Sequence, residues 1–126
     1  MTPDETVTAF IRAIEAKDLD AALALAADDI EYDNVPMPTV HGVDKTRTLL
    51  DSFVATSDEV EWVVHRQIVD GRQVMNERTD RFRSGDRWVE IPVAGIWEVV
   101  DGRITLWRDY FDLQGMMDQL AGESPT

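Results

Sequence analysis

The sequence contains no cysteine and only two histidines, and these absences restrict its chemistry. Without cysteine the chain forms no disulfide, has no thiolate nucleophile and offers no cysteine ligand to a metal. His41 and His65 lie too far apart to match a metal-ligand pattern, so we expect them on the surface or in loops. A Gly-x-Ser-x-Gly elbow, a phosphate-binding loop and a dinucleotide fingerprint are absent as well. None of these common motifs therefore accounts for the chain.

Basic residues are also scarce: 12 stand against 25 acidic residues, which gives a formal net charge of −13. A charge of this size repels phosphate backbones and anionic lipid, so we expect neither a nucleic-acid nor a membrane partner. No apolar run approaches the roughly 18 residues that span a bilayer. The acidic N-terminus lacks the pattern of a signal peptide. A cytoplasmic location is the simplest prediction.

The apolar content is sufficient for one domain with its own core. A chain of 126 residues, 44% of them hydrophobic, predicts a single domain over 1–126, with frayed residues at 122–126. The first helix is predicted by Thr2 as N-cap, Pro3 at the first helical position and Glu5 three residues after the cap. Its buried stripe follows at three- and four-residue spacing: Val7, Phe10, Ile11 and Ile14. Two further helices are predicted, an alanine-rich one over 19–27 and one that Asp44 caps and that carries Leu49, Leu50 and Phe53.

From Val60 onward, apolar and polar residues alternate with the period of two that is typical of β-strands. Asp-Gly pairs at 70–71 and 101–102 predict tight hairpin turns. The predicted elements are a strand beginning at residue 60, strands over 74–83, 88–100 and 103–112, and a closing helix over 113–120. Pro92 and Gly95 predict that the longest strand bends. The pattern predicts an α+β fold, in which a curved, mixed or mainly antiparallel sheet forms a cone. Three N-terminal helices and a short C-terminal helix then surround an apolar pocket.

Five polar residues on the predicted strands are candidates for a site: Tyr32, Asn34, Arg78, Asp80 and Asp109. Residues two apart on a strand share a face, so Tyr32 projects with Asn34, and Arg78 with Asp80. The alternate residues around Tyr32 form the expected wet side of that strand: Asp29, Glu31 and Asp33. An isolated Arg-x-Asp is most often an exposed ion pair worth at most about 1 kcal/mol, and the pattern around Asp109 fits either orientation. If the five side chains converge, two carboxylates, one fixed cation and two water-holding groups form an acid–base centre.

The joint order of these motifs resembles the limonene-1,2-epoxide hydrolase family. The resemblance rests on Tyr32-x-Asn34, then Arg78-x-Asp80, then Trp107-Arg108-Asp109, and it covers essentially the whole chain. It implies the cone-shaped fold that the family shares with nuclear transport factor 2, ketosteroid isomerase and the SnoaL-like polyketide cyclases. It further implies an enzyme without cofactor or metal, a small apolar epoxide as substrate, water as co-substrate, and a homodimer.

The resemblance also implies a role for each of the five residues. Asp109 would be the general base on a water that Tyr32 and Asn34 help to hold. Asp80 would be the general acid, and Arg78 would bridge the two carboxylates. Simultaneous action of a general base and a general acid suits a strained ring, because the ring oxygen needs a proton as the carbon–oxygen bond breaks. Asp80 must then be protonated near neutral pH, which desolvation and a second carboxylate favour and Arg78 opposes.

Two other functions fit the same fold. An isomerase or polyketide-cyclase-like enzyme would use one aspartate as base and hydroxyl or protonated-acid donors around a developing enolate. Such a site gains little from a fixed cation between its carboxylates, so Arg78 argues against it. A non-catalytic small-molecule-binding module is the second alternative. Such a module has little reason to bury two aspartates, because burial of each charged carboxylate costs several kcal/mol.

Overall fold

The structure, a computed structural model, describes residues 1–122 in an α+β arrangement of four α-helices and six β-strands. The helices are α1 (Pro3–Glu15), α2 (Leu19–Leu23), α3 (Val43–Leu50) and α4 (Leu113–Leu120), and α3 continues into a π-helical turn, Asp51–Ala55. The strands are β1 (Ala26–Val35), β2 (Val40–His41), β3 (Glu59–Asp70), β4 (Gln73–Ser84), β5 (Arg87–Val100) and β6 (Arg103–Phe111). The predicted α+β class is therefore confirmed. Of the segment expected to fray, Gly122 ends the described chain and 123–126 lie outside it.

All six strands form one mixed sheet in the order β2-β1-β6-β5-β4-β3. Four of its pairings are antiparallel, and β1 runs parallel to β6. The hairpin turns fall where glycine permits a positive φ: Gly71 has φ 58° and Gly102 has φ 75°. Within the described residues, no helix has the length and apolar content needed to cross a membrane.

Helix α1 begins as the sequence predicts. Thr2 and Glu5 form a reciprocal capping box, in which the Glu5 backbone N–H donates to the Thr2 hydroxyl and the Thr2 backbone N–H donates to the Glu5 carboxylate. The apolar stripe of α1 packs on the sheet, and Phe10 meets the rings of Trp97 and Trp107 edge-on at 5.6 and 5.0 Å. These contacts anchor α1 against the tryptophans that surround the pocket floor.

Two helix boundaries differ from the prediction. The second helix ends at Leu23 rather than at residue 27, because Ala26 pairs with Ile104 in the parallel β1–β6 ladder. Sheet pairing here overrides the helical propensity of alanine. The third helix is capped by Gly42, at φ 90° and without a side-chain bond, so Asp44 lies inside its first turn.

A β-bulge in β6 explains why the orientation of Asp109 was ambiguous in the sequence. Glu98 pairs with Leu106 and Val99 with Ile104, which leaves Thr105 without a partner residue. The extra residue shifts the alternation, so Ile104 and Trp107 are both buried although three positions separate them. Asp109 then follows Trp107 into the interior.

Asp33 corrects the expectation that Asp29, Glu31 and Asp33 all lie on a wet side. Its side chain is buried, and its Oδ2 accepts a hydrogen bond of 2.7 Å from Arg108 Nε. Arg108 stands opposite Asp33 in the β1–β6 register and neutralises it, which makes burial of the carboxylate tolerable. The same arginine bonds Glu31 at 2.8 Å.

Candidate active site

The five predicted residues converge at the closed end of the cone; we call them the polar floor: Tyr32, Asn34, Arg78, Asp80 and Asp109. The register of the sheet brings them together. Asn34 on β1 lies opposite Asp109 on β6, and Gly95 on β5 lies between Asp109 and strand β4. Four of the five line one cavity of about 570 Å³, and the fifth, Arg78, has a fully buried side chain beneath it.

Arg78 connects the two aspartates. Its Nε and Nη2 donate to Asp80 Oδ1 and Oδ2, both at 3.0 Å, and Nη2 also donates to Asp109 Oδ2 at 2.8 Å. The fork on Asp80 is the bidentate geometry that guanidinium and carboxylate favour. The guanidinium lies 5.2 Å from the Trp62 ring and 5.6 Å from the Trp97 ring. Hydrogen bonds and aromatic faces together hold this cation in a dry environment.

Asn76 is a polar group of this region that the sequence interpretation did not single out. Its Oδ1 accepts from Arg78 Nη1 at 2.9 Å and from Trp97 Nε1 at 3.3 Å. The amide nitrogen donates in turn to Gln67 Oε1 at 3.1 Å. The alternation of β4 had placed Asn76 on the face of Arg78, so a sequence signal for it existed. Asn76 anchors the side of the guanidinium that faces away from the carboxylates.

Gly95 supplies the space in which this network is built. A Cβ at this position would lie 2.6 Å from Asn76 Oδ1, 3.0 Å from Asp109 Oδ1 and closer still to Arg78 Nη1. Any side chain here would displace the polar groups, so this glycine serves a close approach of side chains from β4 and β6. The bend that the sequence predicts at Pro92 and Gly95 stays a prediction.

Trp107 orients Asp109 and supports Tyr32. Its indole Nε1 donates to Asp109 Oδ1 at 3.0 Å. Its ring stacks on Tyr32, with centroids 4.0 Å apart and planes 9° apart, and on Trp97 at 5.0 Å and 8°. Each oxygen of Asp109 therefore accepts one bond from the protein. A carboxylate oxygen can accept two, so lone pairs remain for a group in the cavity.

Burial shifts the proton equilibria of the polar floor. Desolvation raises the pKa of Asp80 to about 6. The nearby Arg78 lowers this pKa, and the charge of Asp109 raises it. For Arg78, burial lowers the pKa, but the charges of Asp109 and Asp80 outweigh it and raise the pKa above its ordinary value. Burial also raises the pKa of the Tyr32 hydroxyl, which stays neutral and can both donate and accept.

The rest of the cavity is mostly apolar. Its wall includes side chains from the inner faces of β4 and β5, from the π-helical turn and from α4: Phe53, Phe82, Val89, Ile91, Val93 and Met116. Among residues 1–122, no group of three or more histidine or carboxylate side chains is arranged to hold a metal ion. The arrangement can transfer protons at the floor and enclose an apolar molecule above it.

This fold defines a broad class of cone-shaped domains. It superimposes on a SnoaL-like polyketide cyclase fold from Jannaschia sp. CCS1 with a TM-score of 0.82, at 15% identity, covering 97% of this chain and 93% of that one. It also matches an NTF2-like protein from Cytophaga hutchinsonii with a TM-score of 0.78, at 20% identity, over 93% of this chain and 96% of the other. At these identities the likeness concerns the fold alone.

Closer relatives define the family. Residues 1–122 match the limonene-1,2-epoxide hydrolase catalytic domain. The chain is 41% identical over 114 residues to epoxide hydrolase EphG of Mycobacterium tuberculosis, covering 90% of this chain and 76% of the relative. A solved LEH-like epoxide hydrolase of M. tuberculosis matches with a TM-score of 0.81 at 40% identity, over 94% of this chain and 88% of the other. The chain therefore belongs to the limonene-1,2-epoxide hydrolase family. The family prediction is confirmed, and with it the assignment to the epoxide hydrolases.

Proposed function

We propose that this protein adds water to an apolar epoxide in one step and gives a vicinal diol, without a metal or a cofactor. The observation that carries the proposal is the buried Arg78, which joins two carboxylates at the floor of an apolar cavity. An acid and a base held next to each other by one fixed cation suit a reaction that needs both at once.

In the proposed reaction, Asp109 takes a proton from a water that Tyr32 and Asn34 also contact. The water oxygen attacks one ring carbon and the bond from that carbon to the epoxide oxygen breaks. Asp80 gives its proton to the released oxygen. One proton leaves Asp80 and one reaches Asp109, so a single transfer between the two restores the starting state. Arg78 remains charged throughout and balances the one negative charge that the pair carries.

The pKa of Asp80 supports its role as acid. At a pKa of about 6, roughly one molecule in ten carries the proton at pH 7, against about one in a thousand for an ordinary aspartic acid. Trp107 supports the role of Asp109 as base, because its N–H bond fixes the orientation of the carboxylate.

The proposal extends to a homodimer in the cytoplasm, with neither nucleic acid nor membrane as partner. Apolar side chains exposed on strands β3, β4 and β6 support self-association: Ile68, Met75 and Tyr110. Sedimentation equilibrium tests this part of the proposal independently of turnover, and a monomer at micromolar concentration would contradict it.

The decisive experiment follows diol formation from a panel of apolar epoxides, limonene oxide and a bulkier lipid or steroid epoxide included, in the presence of a chelator. Wild type should turn over at least one substrate, and Asp80→Asn should lose about a hundred- to ten-thousandfold in kcat. Glu61→Gln, which removes one exposed carboxylate outside the polar floor, is the matched control.

A single turnover in ¹⁸O-labelled water then separates one-step attack from a covalent ester. Direct attack places the label in the first diol formed, whereas an ester on an aspartate would place it in the enzyme. Diol absent from a folded wild-type protein would favour an isomerase, a cyclase or a binding module.

A further inference from the structure

The inner face of β5 changes in chemistry from the floor of the cavity to its mouth. Gly95 leaves space for the side chains of the polar floor, and the next three inward positions are apolar: Val93, Ile91 and Val89. The following inward residue is Arg87, which lines the cavity at the start of the strand. Successive inward residues lie two apart, so this row forms one continuous wall with a cation at its outer end.

The register with the neighbouring strand β4 sets the length of this row. Asp80 stands opposite Ile91, and Ser84 opposite Arg87. Four residues of strand at about 3.4 Å each separate the two levels, which puts the backbone of Arg87 about 14 Å from that of Asp80 along the sheet. The cavity therefore has an acid at one end, a cation at the other and apolar walls between them.

Helix α4 completes the mouth beside Arg87. Its Met116 and Leu120 line the cavity, and the guanidinium of Arg87 donates to the backbone carbonyl oxygen of Gln119. The Gln119 side chain in turn joins the backbone of Glu90, accepting from its N–H and donating to its carbonyl, each at 2.8 Å. Arg87 is thus held at the rim of the cavity while its side chain remains exposed there.

From this layout we infer that the substrate is an amphipathic epoxide, with the ring at the polar floor and a carboxylate group at Arg87. The inference rests on the proposed function and names its substrate class. A guanidinium at the mouth recognises a carboxylate through paired N–H bonds. It also offsets, at the entry point, the repulsion that a protein of net charge −13 exerts on an anion. The apolar wall between the two ends accommodates the chain that joins ring and carboxylate.

The test compares 10,11-epoxyundecanoic acid with its methyl ester, and uses the variant Arg87→Gln. Removing the cation should lower the acid-to-ester ratio of kcat/KM about tenfold, which corresponds to about 1.4 kcal/mol. The change should lie in the KM of the acid, because a contact far from the ring stabilises ground state and transition state alike. A short acid, 5,6-epoxyhexanoic acid, cannot span the two levels, so Arg87→Gln should leave its ratio to its own ester unchanged.

Two variants control for charge and for the helix contact. Arg103→Gln removes one positive charge at an exposed hairpin outside the cavity and should preserve the acid-to-ester ratio. Gln119→Ala weakens the attachment of α4 without removing a cation, so it should change acid and ester together. An equal effect of Arg87→Gln on both esters and acids would overturn the inference.

Calorimetry with undecanoic acid and methyl undecanoate separates this inference from the proposed function, because neither ligand has an epoxide. Preferential binding of the acid, lost in Arg87→Gln, would support the carboxylate site even if diol formation failed. Equal binding of acid and ester, together with normal epoxide turnover, would overturn the carboxylate site and leave the hydrolase proposal intact.

Discussion

Two arginines on β4, three residues apart, each join two carboxylates, and they do so on opposite faces of the sheet. Arg78 faces inward, its side chain 0% exposed, and its partners Asp80 and Asp109 are 7% and 6% exposed. Arg81 faces outward, its side chain 26% exposed, and bonds Glu61 at 2.7 Å and Glu90 at 2.8 Å, which are 42% and 55% exposed. The bond lengths are nearly the same in the two groups.

The difference lies in what surrounds the bonds. Water screens the charges of Arg81 and its partners, so each pair contributes little to the free energy of unfolding. Around Arg78, low polarity makes every charge depend on the others, because an unpaired buried charge costs several kcal/mol. Similar bond lengths thus give a surface network on one face and, on the other, a buried group of charges that we propose transfers protons.

The largest effect is expected from Arg78→Gln. It leaves two buried carboxylates without a cation, so the free energy of unfolding should fall by about 3–5 kcal/mol. Epoxide turnover should fall about a thousandfold, as expected for loss of general acid–base action. Urea unfolding and diol formation measure the two losses, with near-ultraviolet circular dichroism to verify the fold. Turnover close to wild type in a folded variant would remove Arg78 from the mechanism.

The pH dependence of turnover should follow the proton on Asp80. The pKa of Asp80 is about 6, and the acid acts only when protonated, so kcat/KM should fall about tenfold per pH unit above that value. The measurement is a pH profile from pH 5 to 9 with one neutral epoxide. A profile that stays flat above pH 6 would mean that Asp80 does not donate the proton.

The same proton has a consequence for stability, and its sign is opposite to that of a typical salt-bridged aspartate. The pKa of Asp80 is higher in the folded protein, about 6, than its ordinary value of 3.8. Stability from this group is therefore fully present below pH 3.8 and is lost as the pH rises through 6. Relative to Asp80→Asn, wild type should lose about 2 kcal/mol of unfolding free energy between pH 4 and pH 7. Urea titrations of both proteins at these pH values measure the difference, and a constant difference would contradict the shifted pKa.

Gly95→Ala should have a smaller effect, because one methyl group enters a filled space beside Arg78 and Asn76. Overpacking of this kind costs about 1–3 kcal/mol and should also reduce turnover by displacing the guanidinium. Gly71→Ala is the matched control, since Gly71 lies in a hairpin with φ 58° and no atom near the added methyl. It should cost stability through backbone strain while turnover is retained. Loss of turnover in both variants, or in neither, would refute the role assigned to Gly95.

Arg81→Gln should have the smallest effect, although it breaks as many ion pairs as Arg78→Gln. We expect a loss of less than 1 kcal/mol in unfolding free energy and unchanged turnover. Added salt should reduce even this difference, because it screens exposed charges. A loss comparable with that of Arg78→Gln would show that burial does not separate the two networks.

Local signals in the sequence were sufficient for much of the fold. The capping box at Thr2 and the glycines of the hairpins act within a few residues, so their outcome depends little on the rest of the chain. The end of α2 and the burial of Asp33 depend instead on partners in β6, far away in sequence. The short stretches of sequence around α2 and Asp33 do not show which residues of β6 will pair with them.

The candidate site shows the same division. Motif order was enough to select Arg78, Asp80 and Asp109, but the bulge at Thr105 decides which way β6 faces, and it arises from pairing with β5. Gly95 was interpreted only as a bend, because its main contribution is the space it leaves for side chains on two neighbouring strands. Such space is visible only once the strands are adjacent.

The site can form only late in synthesis, because β1 pairs in parallel with β6, the last strand of the described chain. Asp33 and Arg108, 75 positions apart, face each other across this ladder, and Asn34 faces Asp109 in the same register. A chain still emerging from the ribosome has Tyr32 and Arg78 long before Asp109 arrives. Asp109, the proposed base, meets the groups proposed to hold its water only when β6 inserts between β1 and β5. We therefore expect diol formation only from chains in which β6 has taken its place in the sheet.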